Sequence, residues 1–229
     1  MRAVDVMTSE VISVEENASV AAVAKLLAGR GISGVPVVDS ANRVIGMVSE
    51  GDLLHRAETG TERRRSWWLE MMASTNALAG EYVKAHGRTV KDVMTRAVIS
   101  VTEATPIADI ALLLETKGIK RVPIVRDGKL VGIVSRANLI QALATTIDEP
   151  ASGADDDHAI REKLLAELKV QRWAEVSPAN IIVKDRVVHL WSSYISEQEK
   201  QALRVAAENI PGVRRVEDHM RPVPAYLLG

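Results

Sequence analysis

Two short stretches of the 229-residue chain combine residue types that could hold a small polar ligand. The first corner is Ser49-x-x-Asp52 after the apolar run 44–48, and the second corner is Ser135-x-x-Asn138 after 130–134. In each, a hydroxyl stands at the expected start of a helix, where backbone N–H groups lack partners within the helix. Such a position favours an anion, and a carboxylate beside it can accept hydrogen bonds from a diol.

The same pattern also has a purely structural interpretation. A serine at the N-cap with an acid three residues later forms a capping box, and one residue can serve both roles. The second corner carries Asn138 instead of an acid. An asparagine has one acceptor oxygen and an NH₂ donor, so it cannot accept from both hydroxyls of a diol. We therefore expect two unequal sites, the second being weak, vacant or specialised for phosphate.

Composition excludes several classes of function. A hydrophobic content of 47% with 26% charged residues is ordinary for a soluble globular protein, and a net charge of −1 gives no argument for nucleic acid. The absence of cysteine excludes disulfides, thiolate catalysis and cysteine zinc sites. The N-terminus does not resemble a signal peptide and no apolar run reaches the length of a membrane span, so we expect a cytoplasmic protein.

The chain repeats itself. Residues 5–8, Asp-Val-Met-Thr, recur at 92–95, and the strand Val-Pro-Val-Val at 35–38 recurs as Val-Pro-Ile-Val at 122–125. Each copy predicts a short β-rich run, a helix, two apolar strands joined by a turn, and a last helix after the serine. The predicted fold class is therefore α/β (α+β), with two β-α-β-β-α units whose near-continuous apolar strands indicate sheets covered by helices.

These repeated features resemble a tandem of CBS domains, also called a Bateman module, with repeat 1 over 1–56 and repeat 2 over 89–147. The resemblance implies a pseudo-twofold pair that binds adenosine-containing ligands (AMP, ADP, ATP, NAD or S-adenosylmethionine) in clefts between the copies. It also implies that the bound state is reported to a partner domain or protein.

The resemblance implies a role for each corner residue. Asp52 matches the carboxylate that accepts from the ribose hydroxyls, and Ser49 matches the hydroxyl that contacts phosphate. The first site is expected to be formed by Thr8, Val11, Ile12, Ser33, Gly34, Val35, Pro36, Ser49 and Asp52. The second, weaker site is expected to be formed by Thr95, Val98, Ile99, Lys120, Arg121, Val122, Pro123, Ser135, Arg136 and Asn138.

The second copy is more basic than the first. Lys120, Arg121 and Arg136 stand where the first copy has Ser33, Gly34 and Glu50. They could contact a phosphate, or they could form a solvated strand edge, and the sequence leaves both interpretations open.

The 57–88 connection is predicted to be a helical insert, because a structureless connection of this length would be unusual. Trp67 and Trp68 cannot face the same way on a helix. One use is a homodimer interface formed by the CBS modules and this insert, and the alternative is packing within one chain.

A linker over 148–156 leads into a tail, 157–225, with the predicted order α-β-β-α-β. The tail resembles a BON domain through 181–185, 187–190 and Pro-Gly-Val at 211–213, although Arg186 and the run 191–193 replace two expected glycines. BON domains imply a phospholipid surface or a protein partner. Asp156, Asp157 and His158 do not form a metal site without a second group of ligands.

We consider two functions. The first is a regulatory protein that senses an adenine nucleotide through the CBS pair and passes its state to the tail or a partner. The alternative is a dimerising adaptor whose CBS pair no longer binds ligand. No nucleophile–base pair, P-loop or metal cluster is evident, so neither an enzyme, a catalytic cofactor, a metal site nor a nucleic-acid partner is expected.

Overall fold

The computed structural model describes residues 1–54, 75–147, 154–171, 173–174 and 180–223. The chain divides into two compact units that are not contiguous in sequence. The first-repeat unit comprises Ile12–Val98 and Gly128–Leu130, and the second-repeat unit comprises Met1–Val11, Ile99–Asp127 and Val131–Gly229. Both combine helices with small sheets, which confirms the mixed α/β class.

The repeated part contains short helices and strands in the expected alternation. In chain order they are α1 (Ala3–Val6), β1 (Val14–Glu15), α2 (Val20–Arg30), β2 (Gly34–Val38), β3 (Val44–Ser49), α3 (Glu50–Leu53), α4 (Thr75–His86), α5 (Val90–Val93), α6 (Ile107–Thr116), β4 (Arg121–Arg126), β5 (Lys129–Ser135) and α7 (Arg136–Ile147). The tail contains α8 (Ala154–Lys169), β6 (Asn180–Lys184), β7 (Val187–Trp191), β8 (Ser193–Tyr194), α9 (Glu197–Glu208), β9 (Arg215–Asp218) and β10 (Arg221–Pro222).

Helix α2 shows how local sequence determines these elements. The Oγ of Ser19 accepts a hydrogen bond from the N–H of Ala22 at 3.1 Å, which caps the helix start. The helix runs through Gly29 and ends at Gly31, which adopts a left-handed φ of 60°. Its buried face covers β2, and β2 pairs in parallel with β1 and antiparallel with β3.

Each unit contains the leading segment of the other repeat. The leading segment of repeat 1, residues 1–8, belongs to the second-repeat unit, and that of repeat 2, residues 89–95, belongs to the first-repeat unit. Val90, Val93 and Met94 lie in the core of the first-repeat unit, whereas α1 lies in the core of the second-repeat unit. A Cβ atom at Gly46 would collide with the Sδ of Met94. A Cβ atom at Gly132 would likewise collide with the Sδ of Met7. In each repeat, therefore, a strand glycine packs against the methionine from the leading segment of the other repeat.

This exchange corrects the expected grouping of two site residues. Thr8 exchanges backbone hydrogen bonds with Ile133 at 3.0 Å and so belongs with the second corner. Thr95 exchanges them with Met47 at 2.9 Å and so belongs with the first corner. Both pairings bury the apolar residues of the segment, which explains why the exchange is stable.

The tail sheet, in the order β6-β7-β9, is buried on both faces of its first two strands. Ile181 and Val188 face the tail's own core with α8 and α9. Ile182 faces the other way, into the core of the second repeat, and Trp191 packs against that same core. Both faces of β6 and β7 are therefore largely apolar, because the second repeat covers the face that would otherwise meet water.

Helix α4 occupies Thr75–His86 of the predicted helical insert, and residues 57–74 of that prediction lie outside the described residues. Trp67 and Trp68 lie outside the described residues, so the interface proposed for them stays a prediction. Within the described part of the chain, no helix is long and apolar enough to cross a bilayer.

Candidate functional site

The first corner lies where β3 ends and α3 begins. Asp52 Oδ2 accepts hydrogen bonds from both the N–H and the hydroxyl of Ser49, at 2.9 and 2.8 Å. The other carboxylate oxygen, Oδ1, lies 3.4 Å from the hydroxyl of Thr95. Asp52 is partly exposed, so one oxygen fixes the corner and the other can accept from an incoming hydroxyl.

Strand pairing places two more predicted residues beside this corner. Ser33 accepts at its carbonyl from the N–H of Glu50 at 3.0 Å, and Gly34 pairs with Ser49 in the β2–β3 register. A Cβ atom at Gly34 would come within 2.9 Å of the Val48 carbonyl oxygen, so a larger residue would displace the strand.

The remaining residues predicted for the first site do not gather there in the same way. Val35 and Pro36 are buried, Val35 in the core of the first-repeat unit, and Ile12 packs against that core. Thr8 and Val11 belong to the second-repeat unit. The side chains that meet at the first corner are thus Ser49, Asp52 and Thr95.

The second corner is built on the same backbone but uses its polar side chain differently. Asn138 Oδ1 accepts from the N–H and hydroxyl of Ser135 at 2.8 and 2.6 Å, repeating the cap of the first corner. Its Nδ2 donates to the carbonyl of Val6 at 3.1 Å and lies 3.4 Å from the hydroxyl of Thr8. Asn138 is only 5% exposed, so both ends of its amide are occupied inside the protein.

The basic residues of the second copy lie on the backbone segments next to this closed corner. The N–H of Arg136 donates to the carbonyl of Lys120 at 3.1 Å, which brings these two exposed residues together. Arg121 begins β4 and is partly buried, while Val122 and Pro123 are buried. Of the residues predicted from the leading strands, Ile99 belongs to this unit and Val98 to the first-repeat unit.

A buried arginine that sequence analysis missed joins the tail to the second corner. Arg161 on α8 is 2% exposed, and its guanidinium donates to the carbonyls of Met7 at 2.6 Å and Ile181 at 2.8 Å. Burial lowers the pKa of Arg161 to about 10, so the side chain is still protonated at neutral pH. Met7 directly precedes Thr8, so the Arg161 contact lies next to the second corner in the chain.

Asp157 has a structural task that its sequence neighbours did not suggest. Its carboxylate accepts from the backbone N–H groups of Asp185 and Arg186 at 2.8 and 2.7 Å. Both turn residues have a left-handed φ, 50° and 61°, which is costly for residues other than glycine. The missing turn glycine at Arg186 is therefore compensated by a charged hydrogen-bond acceptor from α8.

Comparison with known proteins agrees with this architecture. The CBS domain family model matches residues 3–58 and 90–145, and the BON domain family model matches residues 156–224. CBSX1, a chloroplastic CBS domain-containing protein of Arabidopsis thaliana, is 39% identical over 125 residues. That match covers 52% of this chain and 52% of CBSX1, so the chain spans about half the length of this relative.

Two further relatives each match somewhat more than 60% of the chain. The uncharacterised protein MJ1426 of Methanocaldococcus jannaschii is 33% identical over 150 residues, covering 61% of this chain and 89% of MJ1426. A solved structure of Arabidopsis CBSX2 in complex with AMP is 31% identical, with a TM-score of 0.55. It covers 63% of this chain and 97% of the CBSX2 chain.

Proposed function

The chain belongs to the tandem CBS-domain proteins, with a BON domain after the pair, and we propose that it is a non-catalytic regulatory protein of this family. Its first corner binds an adenosine-containing ligand of the AMP, ADP, ATP or NAD type. The state of the CBS pair is passed to the BON domain or to a partner.

The observation that carries this proposal is that the two oxygens of the Asp52 carboxylate have different partners. One oxygen holds Ser49, and the other makes one long contact with Thr95 among the described residues. A carboxylate oxygen at a partly exposed corner is suited to a ribose hydroxyl, and the adjacent start of α3 is suited to a phosphate. The AMP bound to the related CBSX2 is a ligand of this chemical class.

The route to the BON domain is supported by two contacts within the second-repeat unit. Arg161 binds the carbonyl of Met7, and Ile182 lies in the core of the second repeat. The tail is thus fixed to the second repeat by packing and by a buried charge. A ligand can bias the state of the BON domain by no more than the difference in its affinity for two arrangements of the CBS pair.

A homodimer is the assembly we favour. Three apolar side chains on α6 and α7 are each more than half exposed: Leu112, Ile140 and Leu143. Exposed large apolar residues on neighbouring helices are typical of a surface that another chain covers. The phospholipid or protein partner of the BON domain and the cytoplasmic location stay predictions.

The closed second corner favours one alternative, an adaptor whose CBS pair does not respond to ligand. Asn138 uses its amide to hold the leading segment, so this corner has lost the free acceptor that a ribose requires. If the first corner has also lost binding, the module serves only to dimerise the BON domain.

Calorimetric titration and thermal unfolding of the full chain with AMP, ADP, ATP, NAD and S-adenosylmethionine separate these functions. A sensor should bind at least one of them at the first corner and melt at a higher temperature when it is bound. Asp52→Asn keeps an acceptor for Ser49 but loses the charge, so it should weaken binding roughly tenfold.

Asp92→Asn is the matched control, because Asp92 caps Thr89 with the same geometry in the same unit. It should bind the ligand as the wild type does. Absence of binding by all five ligands would favour the adaptor, and equal weakening by both substitutions would reject the assignment to Asp52.

A further inference from the structure

The BON domain brings two histidines and a glutamate together on one side of its sheet. Strands β7 and β9 run parallel, with His189 directly opposite Glu217. His219 follows β9, and its N–H donates to the carbonyl of Leu190 at 3.0 Å. His189 lies 30 positions before His219, so no local sequence motif groups it with Glu217 and His219.

The potential ligand atoms of these residues lie close enough to share one ion. His189 Nδ1 and His219 Nε2 are 3.1 Å apart, and His219 Nε2 is 4.0 Å from Glu217 Oε2. One ligand atom from each residue lies within 4.8 Å of the others. Two ligands of a tetrahedral zinc ion are about 3.3 Å apart, since each bond is about 2.0–2.1 Å long. The two imidazole nitrogens are close to this separation, and the carboxylate would have to move toward them by up to about 1.5 Å.

We propose that His189, Glu217 and His219 form a binding site for a divalent transition metal ion of the zinc type. Two imidazoles and one carboxylate are ligands that such ions accept, whereas Mg²⁺ and Ca²⁺ prefer oxygen ligands alone. The side chains of His219 and Glu217 are 29% and 34% exposed, which leaves a path for the ion and room for water as a fourth ligand.

The surrounding residues hold the two rings in place. His189 is 4% exposed, and its ring is nearly parallel to that of His219, with 4° between the planes. The Trp191 ring stacks on His219 with centroids 4.0 Å apart. Rings fixed before an ion arrives reduce the ordering cost of binding, as outer residues do around established metal sites.

One neighbouring charge opposes the site. Arg215 donates to Glu217 Oε1 at 2.7 Å and draws the carboxylate away from the histidines. The opposite oxygen, Oε2, is the one nearer His219, so Glu217 can keep its ion pair and still offer a ligand. The competing explanation is a hydrogen bond between two neutral imidazoles, which would hold the pair without any metal.

Titration of the metal-free full chain with Zn²⁺ and Co²⁺ tests the proposal. We expect one tightly bound ion per chain, with the strong visible absorption of tetrahedral cobalt, and no comparable binding of Mg²⁺. His219→Ala and Glu217→Gln should each weaken binding by more than the roughly 10–100-fold that changes in outer residues cause.

His86→Ala is the matched control, because His86 is an exposed histidine outside the cluster and should bind as the wild type does. Circular dichroism of each variant separates loss of the site from loss of the fold. A wild type that binds no stoichiometric ion, or a His219→Ala variant that binds as tightly as the wild type, would overturn the proposal in favour of the imidazole hydrogen bond. The metal titration does not depend on nucleotide binding at the first corner, so its outcome neither supports nor rejects the proposed function.

Discussion

Asn138 donates its side-chain amide to the backbone carbonyl of Val6 across 132 positions of sequence. Asp52 occupies the same place in the first corner, but its side chain has no N–H to donate. Its Oδ1 lies near the hydroxyl of Thr95 instead. The two repeats therefore use one position for different purposes. In the second copy it fastens the leading segment, and in the first it keeps an acceptor at a partly exposed corner.

Asn138→Asp should destabilise the second-repeat unit. The ionised carboxylate would face the Val6 carbonyl, which loses its donor inside the protein, at a cost of roughly 1–3 kcal/mol. The deficit should shrink at low pH, where a protonated carboxyl can donate again. Urea unfolding of the full chain at several pH values measures both effects.

Asp52→Asn is the reciprocal change and serves as the control for stability. The asparagine oxygen can still accept from Ser49, so the free energy of unfolding should change by no more than about 0.5 kcal/mol. If Asn138→Asp were as stable as the wild type at neutral pH, the amide–carbonyl contact could not be what fastens the leading segment.

Much of the architecture follows from local sequence. The repeat and the helix starts at the Ser49 and Ser135 corners were predictable, because caps and hydrophobic periods depend on only a few neighbouring residues. The same local reading explains one failure. Both leading segments carry Asp-Val-Met-Thr, so the pattern fits either pairing, and only the packed structure assigns Thr8 to the second corner and Thr95 to the first.

The missed residues share a different property. Arg161 binds backbone carbonyls of Met7 and Ile181, which lie 154 and 20 positions away. A carbonyl acceptor has no residue type, so no sequence pattern marks it. Similarly, His189 and His219 meet through strand pairing that depends on the whole tail.

The turn between β6 and β7 offers a second test of stability. Asp157→Ala would leave the N–H groups of Asp185 and Arg186 without their charged acceptor, so we expect a loss of roughly 1–3 kcal/mol and faster amide exchange at both. Arg186→Gly should stabilise the turn by roughly 1 kcal/mol, because glycine adopts a left-handed φ readily.

Hydrogen exchange followed by mass spectrometry reports on this turn directly. Asp156→Ala is the control, since Asp156 is an exposed neighbour on the same helix. Exchange in 184–187 that is unchanged by Asp157→Ala would show that the carboxylate does not support the turn.

Removal of the Arg161 guanidinium should loosen the attachment of the BON domain. Arg161→Met retains an apolar chain of similar length but leaves the Met7 and Ile181 carbonyls without these donors. Amide exchange should rise in α1, in the residues that follow it, and in β6. Lys163→Met, an exposed change on the same helix, should leave exchange as it is in the wild type.

A change in amide exchange that is confined to the tail would contradict this role. If Arg161→Met changed exchange only within the tail, the arginine would be a packing residue of the BON domain and not its connection to the leading segment. Repeating the comparison with added nucleotide would then show whether the ligand still slows amide exchange in both the leading segment and the BON domain.

The Asp92 cap predicts how stability depends on pH. The hydroxyl and N–H of Thr89 both donate to this carboxylate and lower its pKa from the ordinary value of 3.8. A carboxyl whose pKa is lowered in the folded state stabilises the protein above the unfolded value, and the contribution disappears as pH falls through the folded value. The melting temperature of the wild type should therefore exceed that of Asp92→Asn at neutral pH, and the two should converge at acid pH once the folded-state carboxyl is protonated. Thermal unfolding from neutral to acid pH measures the difference, with the exposed Asp109→Asn as control. A gap between wild type and Asp92→Asn that persists at the acid end would mean that the cap contributes through geometry and not through the ionised carboxylate.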